Sequence, residues 1–354
     1  MNEVYVVSAK RTPFGSFGGV LAELPAPELA AQVLTALLKQ NNLEPGLVDE
    51  VILGQVLQGG SGQAPARQAM RLAQIPDSTA AMTINKVCGS GLKSIMLAAD
   101  GIALGHTGIA LAGGMENMSQ APYALPKARF GQRLGHGQML DLMIHDGLQD
   151  PYSHRHMGEI TEEWVAGHGL TREEQDAFAA RSYSRAQAAV SANTFADELV
   201  PVTIKSRKGE TIVDGDEEPQ RGSIDKLGQL RPAFSKTGTI TAGNASTIND
   251  GAAVALVAGA AAIKEHNLSP VARIVATVTN SIHPNLFAEA PVDAISRCCS
   301  RAGLKPSDIG LFEINEAFAA VPLVAIKQLG LDPEKVNVNG GAVAIGHPIG
   351  ASGA

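Results

Sequence analysis

Short runs typical of strands alternate with runs typical of helices, and this alternation restricts the fold of the chain more than any other feature. Residues 4–8, 51–58, 82–87 and 109–112 predict strands, whereas the apolar residues within 26–39 recur at helical spacing. Strands that alternate with helices form mainly parallel sheets with helices on their faces. The chain is therefore predicted to be an α/β protein.

The alternation is interrupted in the middle of the chain and then starts again. Residues 119–249 hold most of the charged clusters and predict a solvated insertion. After residue 268 the order of strand, loop and glycine-rich turn recurs. The paired segments are 4–15 with 272–284, 49–60 with 309–320, and 82–94 with 336–354. This order predicts two related halves, 1–118 plus 250–268 and 269–354; a chance recurrence of common βα units is the alternative.

Charge, cysteine content and apolar runs argue against several classes of protein. The chain has 28 basic and 35 acidic residues, and the resulting charge of −7 argues against nucleic-acid binding through bulk charge. Its longest apolar run, residues 251–263, is too short to span a bilayer. Three cysteines without a C-x-x-C pair predict neither a disulfide framework nor a metal site. The N-terminal residues contain no apolar signal core, so we expect a cytoplasmic protein that does not engage a membrane.

Cys88 lies between a predicted strand and a predicted helix, in the sequence KVCGSGL. Leu92, Ile95 and Ala99 keep helical spacing after it, so the thiol is predicted to lie near a helix N-terminus. The helix dipole favours a thiolate there, which predicts a lowered pKa and a nucleophilic cysteine. The alternative is a small buried residue at a crowded turn.

His347 and Asn315 are candidate partners of this cysteine from the second half of the chain. His347 stands among glycines and before Pro348, which biases it away from helical geometry. A histidine at such a turn can act as base to a cysteine elsewhere in the fold, although a structural turn histidine is the alternative. Asn315 ends a predicted strand, where its amide can orient a water or stabilise an oxyanion.

Several motifs, in this order, resemble those of the thiolases, specifically the acetyl-CoA acetyltransferase type. They are NKVCGSGLKS (85–94), GGMENMS (113–119), LRPAF (230–234), GTITAGNAS (238–246), NDGAA (249–253), NEAF (315–318) and NVNGGAVAIGHPIGASGA (337–354). The resemblance implies a thiolase fold: two similar βαβαβαββ halves in α-β-α-β-α layers, with 119–249 as a loop domain for CoA binding and oligomerisation. A homodimer or homotetramer is expected.

The resemblance also implies a reaction and roles for individual residues. Two acetyl-CoA would condense reversibly to acetoacetyl-CoA and CoA; CoA thioesters are substrates, and no cofactor is expected. Cys88 would become acyl-cysteine, its N–H would join an oxyanion site, His347 would activate it, and Asn315 would hold a water. The residues implied for CoA binding are His156, Met157, Arg221, Phe234, Ala242, Ser246, Ala317 and Phe318.

The chain departs from the thiolase pattern in two places. The family's acid/base cysteine, in a C-x-G-G-G motif, has no counterpart in the sequence, since Cys298 and Cys299 both precede NEAF. We therefore expect a C-terminally truncated thiolase in which acylation of Cys88 survives and the carbon–carbon step is impaired. Phe-Ala-Glu-Ala-Pro at 287–291 stands where the family has Met-Gly-x-Gly-Pro beside the acyl pocket.

Other functions stay open at this point. A 3-ketoacyl-CoA thiolase of fatty-acid β-oxidation is the nearest alternative, although Cys88-Gly89-Ser90 favours the short-chain type. A ketoacyl synthase is less favoured because that class has a histidine where Asn315 stands. A non-catalytic, CoA-binding thiolase-like protein is the alternative from outside the enzymes.

Overall fold

The structure, a computed structural model, describes residues 2–207 and 209–354. The strands are β1 (Val4–Arg11), β2 (Gly15–Ser16), β3 (Glu50–Gly54), β4 (Ala80–Ile84), β5 (Ile109–Asn117), β6 (Tyr123–Ala124), β7 (Leu140–Asp141), β8 (Val202–Ser206), β9 (Gly209–Val213), β10 (Asn249–Gly259) and β11 (Ala272–Arg273). The helices are α1 (Ala26–Gln40), α2 (Pro65–Leu72), α3 (Ser90–Ala103), α4 (Met157–His168), α5 (Arg172–Ser191), α6 (Glu218–Arg221), α7 (Ala260–Glu265), α8 (Ala290–Arg301), α9 (Ala320–Leu329) and α10 (Ala342–Ile345).

Seven strands form one central sheet in the order β11-β1-β10-β5-β3-β4, with β2 paired to one end of β10. β5, β3 and β4 are parallel, whereas β10 runs antiparallel to both β1 and β5. The four strands predicted at the start of the chain are confirmed as β1, β3, β4 and β5. The sheet is mixed rather than mainly parallel, as the alternation had predicted. Most of the apolar run 251–263 forms the central strand β10, which is antiparallel to its neighbours.

The two faces of β10 bury alternate side chains against different helices. Val254 and Leu256 belong to the core that includes α1 and α2, whereas Ala255 and Val257 belong to the core on the α3 side. This alternation is the two-residue period of a strand. Full burial of each larger aliphatic side chain stabilises the fold by ~1.5–3 kcal/mol, so β10 anchors the first half from both sides. Among the described residues, no helix combines the length and apolar character that crossing a membrane would require.

The insertion contains the long helix predicted from its sequence. α5 begins after Thr171, whose hydroxyl accepts the N–H of Glu174 while the Glu174 carboxylate accepts the N–H of Thr171. This reciprocal capping box explains where the helix starts. The insertion is tied to β1 by Arg11, whose guanidinium donates to both carboxylate oxygens of Asp216 at 2.7 and 2.9 Å.

The second half differs from the strand pattern expected of it. In the described part of the chain, no strand after residue 259 is longer than two residues. Residues 272–273 pair with β1, at the edge of the central sheet, and Phe312 makes a single bridge to Val336. One bridge fixes too few hydrogen bonds to extend a ladder. The half is held instead by apolar side chains of α4 and α9 packed around Phe312.

Candidate active site

A tight turn between β4 and α3 presents Cys88. Ser90 holds this turn: its hydroxyl accepts the N–H of Lys86 and donates to the carbonyl of Val87, both at 2.7 Å. Val87 has φ of +47°, which is uncommon for a β-branched residue and stays in place because these bonds fix the turn. α3 begins at Ser90, so the predicted position of the thiol near a helix N-terminus is confirmed.

The loop that carries His347 packs directly against the cysteine turn. A Cβ on Gly353 would lie 2.9 Å from the nitrogen of Leu92 and 3.2 Å from the carbonyl oxygen of Cys88. Only glycine therefore allows the two backbones to approach this closely. Ile349 also shares an apolar cluster with Cys88. The structure thus brings together the two loops that were predicted to meet.

His347 is buried and bonded at its backbone and at both ring nitrogens. Its backbone N–H donates to Oδ1 of Asn249 at 2.8 Å, and Nδ1 contacts the hydroxyl of Ser352. Nε2 lies 3.3 Å from Nδ2 of Asn315, so the predicted neighbours His347 and Asn315 are in contact. Gly346 has φ of +108°, and a Cβ there would lie 2.5 Å from Cγ of Asn249, so this approach also requires glycine.

The electrostatics of Cys88 differ from the sequence expectation. Burial, with a smaller contribution from the negative charge of Glu116, raises the pKa of the Cys88 thiol to about 11. The expectation of a lowered pKa was wrong because loss of solvation beside the apolar side chains of Val56, Leu57 and Ile349 outweighs the helix dipole. Burial also lowers the pKa of His347 to about 4. Near neutral pH the site therefore holds a thiol and a neutral imidazole.

Glu116 is a buried carboxylate that joins this site to the strands below it. It accepts the backbone N–H groups of Val56 at 2.9 Å and Leu57 at 3.1 Å, and also that of Gly350. Burial raises the pKa of Glu116 to about 7. Sequence reasoning missed both Glu116 and Asn249, although each lies inside a quoted motif, GGMENMS and NDGAA.

Aromatic side chains form a second part of the site. The His156 ring stacks on Phe234 with ring centres 4.9 Å apart, and Phe234 meets Phe318 edge to face at 6.2 Å. Phe287 meets the other side of Phe318 at 6.3 Å. Met157 packs against the same core. We call His156, Phe234, Phe287 and Phe318 the aromatic cluster.

The remaining candidates for CoA binding divide into two groups. The N–H and hydroxyl of Ser246 both donate to the carbonyl of Ala317, at 3.0 and 3.1 Å, which places this pair beside the aromatic cluster. Ala242 is exposed in the preceding turn. Arg221 ends α6, is exposed and lies outside the aromatic cluster.

Comparison with known proteins identifies relatives over the whole chain. Residues 4–261 match the family described as Thiolase, N-terminal domain, and residues 268–354 match Thiolase, C-terminal domain. The chain is 50% identical over 355 residues to a Pseudomonas aeruginosa protein and 51% identical to one from Cupriavidus necator, both named acetyl-CoA acetyltransferase. Each alignment covers 100% of this chain and 90% of the relative.

A solved structure also matches over the whole chain. The crystal structure of the Bacillus anthracis acetyl-CoA acetyltransferase superposes with a TM-score of 0.97 at 44% identity. It covers 100% of this chain, which in turn covers 90% of that chain. The expectation of a C-terminal truncation is not borne out by these matches, which extend over the whole of the present sequence.

Proposed function

The chain belongs to the thiolase family and has the thiolase fold, and from that premise we propose that it is an acetyl-CoA C-acetyltransferase. It would condense two acetyl-CoA to acetoacetyl-CoA and CoA, and catalyse the reverse thiolysis. The observation that carries the proposal is the packing of the loop of His347, whose ring contacts Asn315, against the turn that carries Cys88. Relatives at about half identity named acetyl-CoA acetyltransferase support the same reaction.

The first half-reaction transfers an acetyl group to Cys88. Nε2 of His347 takes the thiol proton as the sulfur attacks the thioester carbon of acetyl-CoA. The new carbon–sulfur bond replaces the bond to CoA, and the CoA thiolate leaves with the proton returned from the imidazolium. Because both groups start neutral, the thiolate forms only during attack, which protects the cysteine between turnovers.

The negative oxygen that develops on the thioester needs fixed donors. The N–H of Cys88 lies at the start of α3, where unpaired backbone donors and the positive end of the helix dipole meet. The amide of Asn315 lies beside Nε2 of His347 and has hydrogens to donate. We assign to these two donors the stabilisation of the thioester oxygens.

The second half-reaction needs a carbanion from the methyl group of another acetyl-CoA. Its carbon attacks the acetyl-cysteine carbonyl, the bond to Cys88 breaks and acetoacetyl-CoA leaves, while the sulfur of Cys88 takes up a proton that balances the one lost from the methyl group. A base must accept the methyl proton. The thiol of Cys298 faces the carbonyl of Ala276 at 3.6 Å, and Cys299 is buried on the same helix α8, so neither is assigned this role.

The aromatic cluster favours a short acyl group. Phe287 and Phe318 meet edge to face, and we propose that these rings limit the length of the acyl group. For the CoA arm we propose contacts with His156, Met157, Phe234, Ala242, Ser246, Ala317 and Phe318, and for its nucleotide end a contact with Arg221. The cytoplasmic location, the absence of a cofactor and the homodimer or homotetramer remain predictions from the sequence.

The two half-reactions are tested separately. Intact-mass analysis after mixing with acetyl-CoA should show one added acetyl group, which peptide mapping places on Cys88 and which the Cys88→Ala variant lacks. Chromatography of the same mixture should show acetoacetyl-CoA. Absence of the adduct would overturn the proposed nucleophile. If the adduct forms but no acetoacetyl-CoA appears under conditions that favour condensation, the protein only accepts an acyl group. That result would overturn the proposed condensation.

A further inference from the structure

We propose that Ser352 is a positioning residue that fixes the tautomer of His347, so that Nδ1 carries the hydrogen and Nε2 is the base. This inference deepens the proposed function and rests on it for its catalytic meaning. The tautomer itself is a property of the free protein and does not depend on the proposed function.

The first support is the hydrogen-bond capacity of the serine. The Ser352 hydroxyl donates to the carbonyl oxygen of Pro348 at 3.0 Å, and the same oxygen contacts Nδ1 of His347. A hydroxyl has a single hydrogen to donate. We assign that hydrogen to Pro348, so that the Ser352 oxygen accepts from Nδ1 of His347.

The second support comes from the opposite side of the ring. Nε2 lies 3.3 Å from Nδ2 of Asn315, which is a donor. A neutral imidazole has one N–H and one lone pair. If Nδ1 bears the hydrogen, Nε2 presents its lone pair to the Asn315 amide, and both contacts are satisfied. The other tautomer would place two donors opposite each other at Nε2.

The tautomer decides whether His347 can act at all. Only a lone pair on Nε2 can take the thiol proton, because Nδ1 is turned toward Ser352. Once Nε2 is protonated, the ring is a cation with a hydrogen on each nitrogen. The Ser352 oxygen still accepts the Nδ1 hydrogen, so the same contact stabilises the charged intermediate state.

The backbone of His347 is held independently of the serine. Its N–H is fixed by Asn249, so removal of the Ser352 hydroxyl should release the ring while the loop stays in place. Ser191 offers a matched control. Its hydroxyl makes the same bond to a carbonyl four residues back, Gln187 at 2.8 Å, at the exposed end of α5.

The direct test is nitrogen NMR of protein labelled with ¹⁵N-histidine. The sequence has nine histidines, and the His347→Gln variant identifies the pair of signals that belongs to His347. Near neutral pH the wild type should show a protonated Nδ1 and an unprotonated Nε2. A hydrogen on Nε2 in the wild type would overturn the proposal, and this outcome requires no Ser352 variant to fold.

Variants of Ser352 test the consequence. Ser352→Ala should give a mixture of tautomers, slow the acetylation of Cys88 by roughly 10–100-fold and leave KM for acetyl-CoA nearly unchanged. Ser352→Thr, which keeps the hydroxyl, should restore the wild-type signals and most of the rate, and Ser191→Ala should change neither. A Ser352→Ala variant with the wild-type tautomer and full rate would contradict the proposal. A wild type with the expected tautomer but no acetylation would instead contradict the proposed function.

Discussion

Cys88 and His347 are held in place by different kinds of structure. Cys88 follows a strand of the central sheet and precedes α3, whose side chains pack on that sheet through a continuous apolar core. His347 follows the single-turn helix α10, in a half whose described residues form no sheet of their own. Hydrophobic packing therefore fixes the strand and helix on either side of the nucleophile, with Ser90 holding the turn between them, whereas hydrogen bonds from the central sheet help to fix the base.

Two hydrogen bonds to the loop that carries the base come from strands of the central sheet. Asn249 at the start of β10 accepts the N–H of His347, and Glu116 at the end of β5 accepts that of Gly350. Strands β5 and β10 of the central sheet therefore carry polar groups that position the base, and β4 leads into the turn of the nucleophile. Loss of one such bond should disturb catalysis more than stability, and loss of sheet packing should do the reverse.

The largest effect is expected from the nucleophile itself. Cys88→Ala should reduce condensation and thiolysis by about 10⁴-fold or more, because the acyl-enzyme cannot form. The unfolding midpoint should stay close to that of the wild type, since the turn is held by Ser90. Steady-state rates and thermal melts measure both, with Cys299→Ala on α8 as control. A Cys88→Ala protein that keeps a tenth of the activity would disprove the assignment.

The next largest effect concerns the dependence of stability on pH. The pKa of His347 is about 4 in the folded protein and about 6.5 when unfolded, so the unfolded chain binds the proton first as pH falls. The protonation of His347 therefore leaves the free energy of unfolding unchanged above pH 6.5. It lowers this free energy as pH falls toward 4, by ~3 kcal/mol in all. Glu116, with its raised pKa, changes stability in the opposite direction over an overlapping range.

Comparison with His347→Gln isolates the histidine from Glu116. Denaturant unfolding at several pH values should show the two proteins converging in stability as the solution becomes more acidic. Parallel curves for the wild type and the variant would mean that His347 is not a buried neutral group.

A pair of substitutions tests the division between packing and hydrogen bonding. Asn249→Ala leaves the N–H of His347 and the carbonyl of Gly15 without a partner, and we expect the acetylation rate to fall roughly 10–100-fold. Val257→Ala should instead cost about 1–3 kcal/mol of stability, as a cavity in the sheet core, with little change in kcat. Equal effects of the two variants on kcat would contradict the comparison.

The smallest effect concerns chain length. Phe287→Ala removes one ring from the aromatic cluster and should raise the kcat/KM for a longer 3-ketoacyl-CoA, relative to acetoacetyl-CoA, by roughly 10-fold. Phe130→Ala is the control, since that ring is 88% exposed. An unchanged ratio in Phe287→Ala would show that this side chain does not limit the acyl group.

The sequence predicted the strands and helices of the first 112 residues well, for physical reasons. Strands such as 109–112 and the helix within 26–39 have clear periodicity, and local turn chemistry places Cys88 before α3. The thiolase motifs implied partners for Cys88, and His347 and Asn315 are in contact. The division into two halves and an insertion stays a prediction.

What the sequence could not show depends on contacts made only in three dimensions. The pKa of Cys88 follows from burial by distant residues such as Val56 and Ile349, which no local dipole argument includes. The strands expected in the second half do not form because a strand needs a neighbour with which to pair. Residues 272–273 pair with β1 of the central sheet. Asn249, Glu116 and Ser352 act through side-chain hydrogen bonds, which leave no periodic pattern in the sequence.

The rate at which iodoacetamide alkylates Cys88 tests whether the free protein holds a thiol and a neutral imidazole. It is measured over a range of pH by intact mass, in the absence of CoA compounds. A half-buried thiol, in a site whose imidazole is neutral, predicts an alkylation rate that keeps rising with pH toward the thiol pKa of about 11. A rate that has already reached its plateau at neutral pH would show a preformed thiolate–imidazolium pair, and would contradict the account.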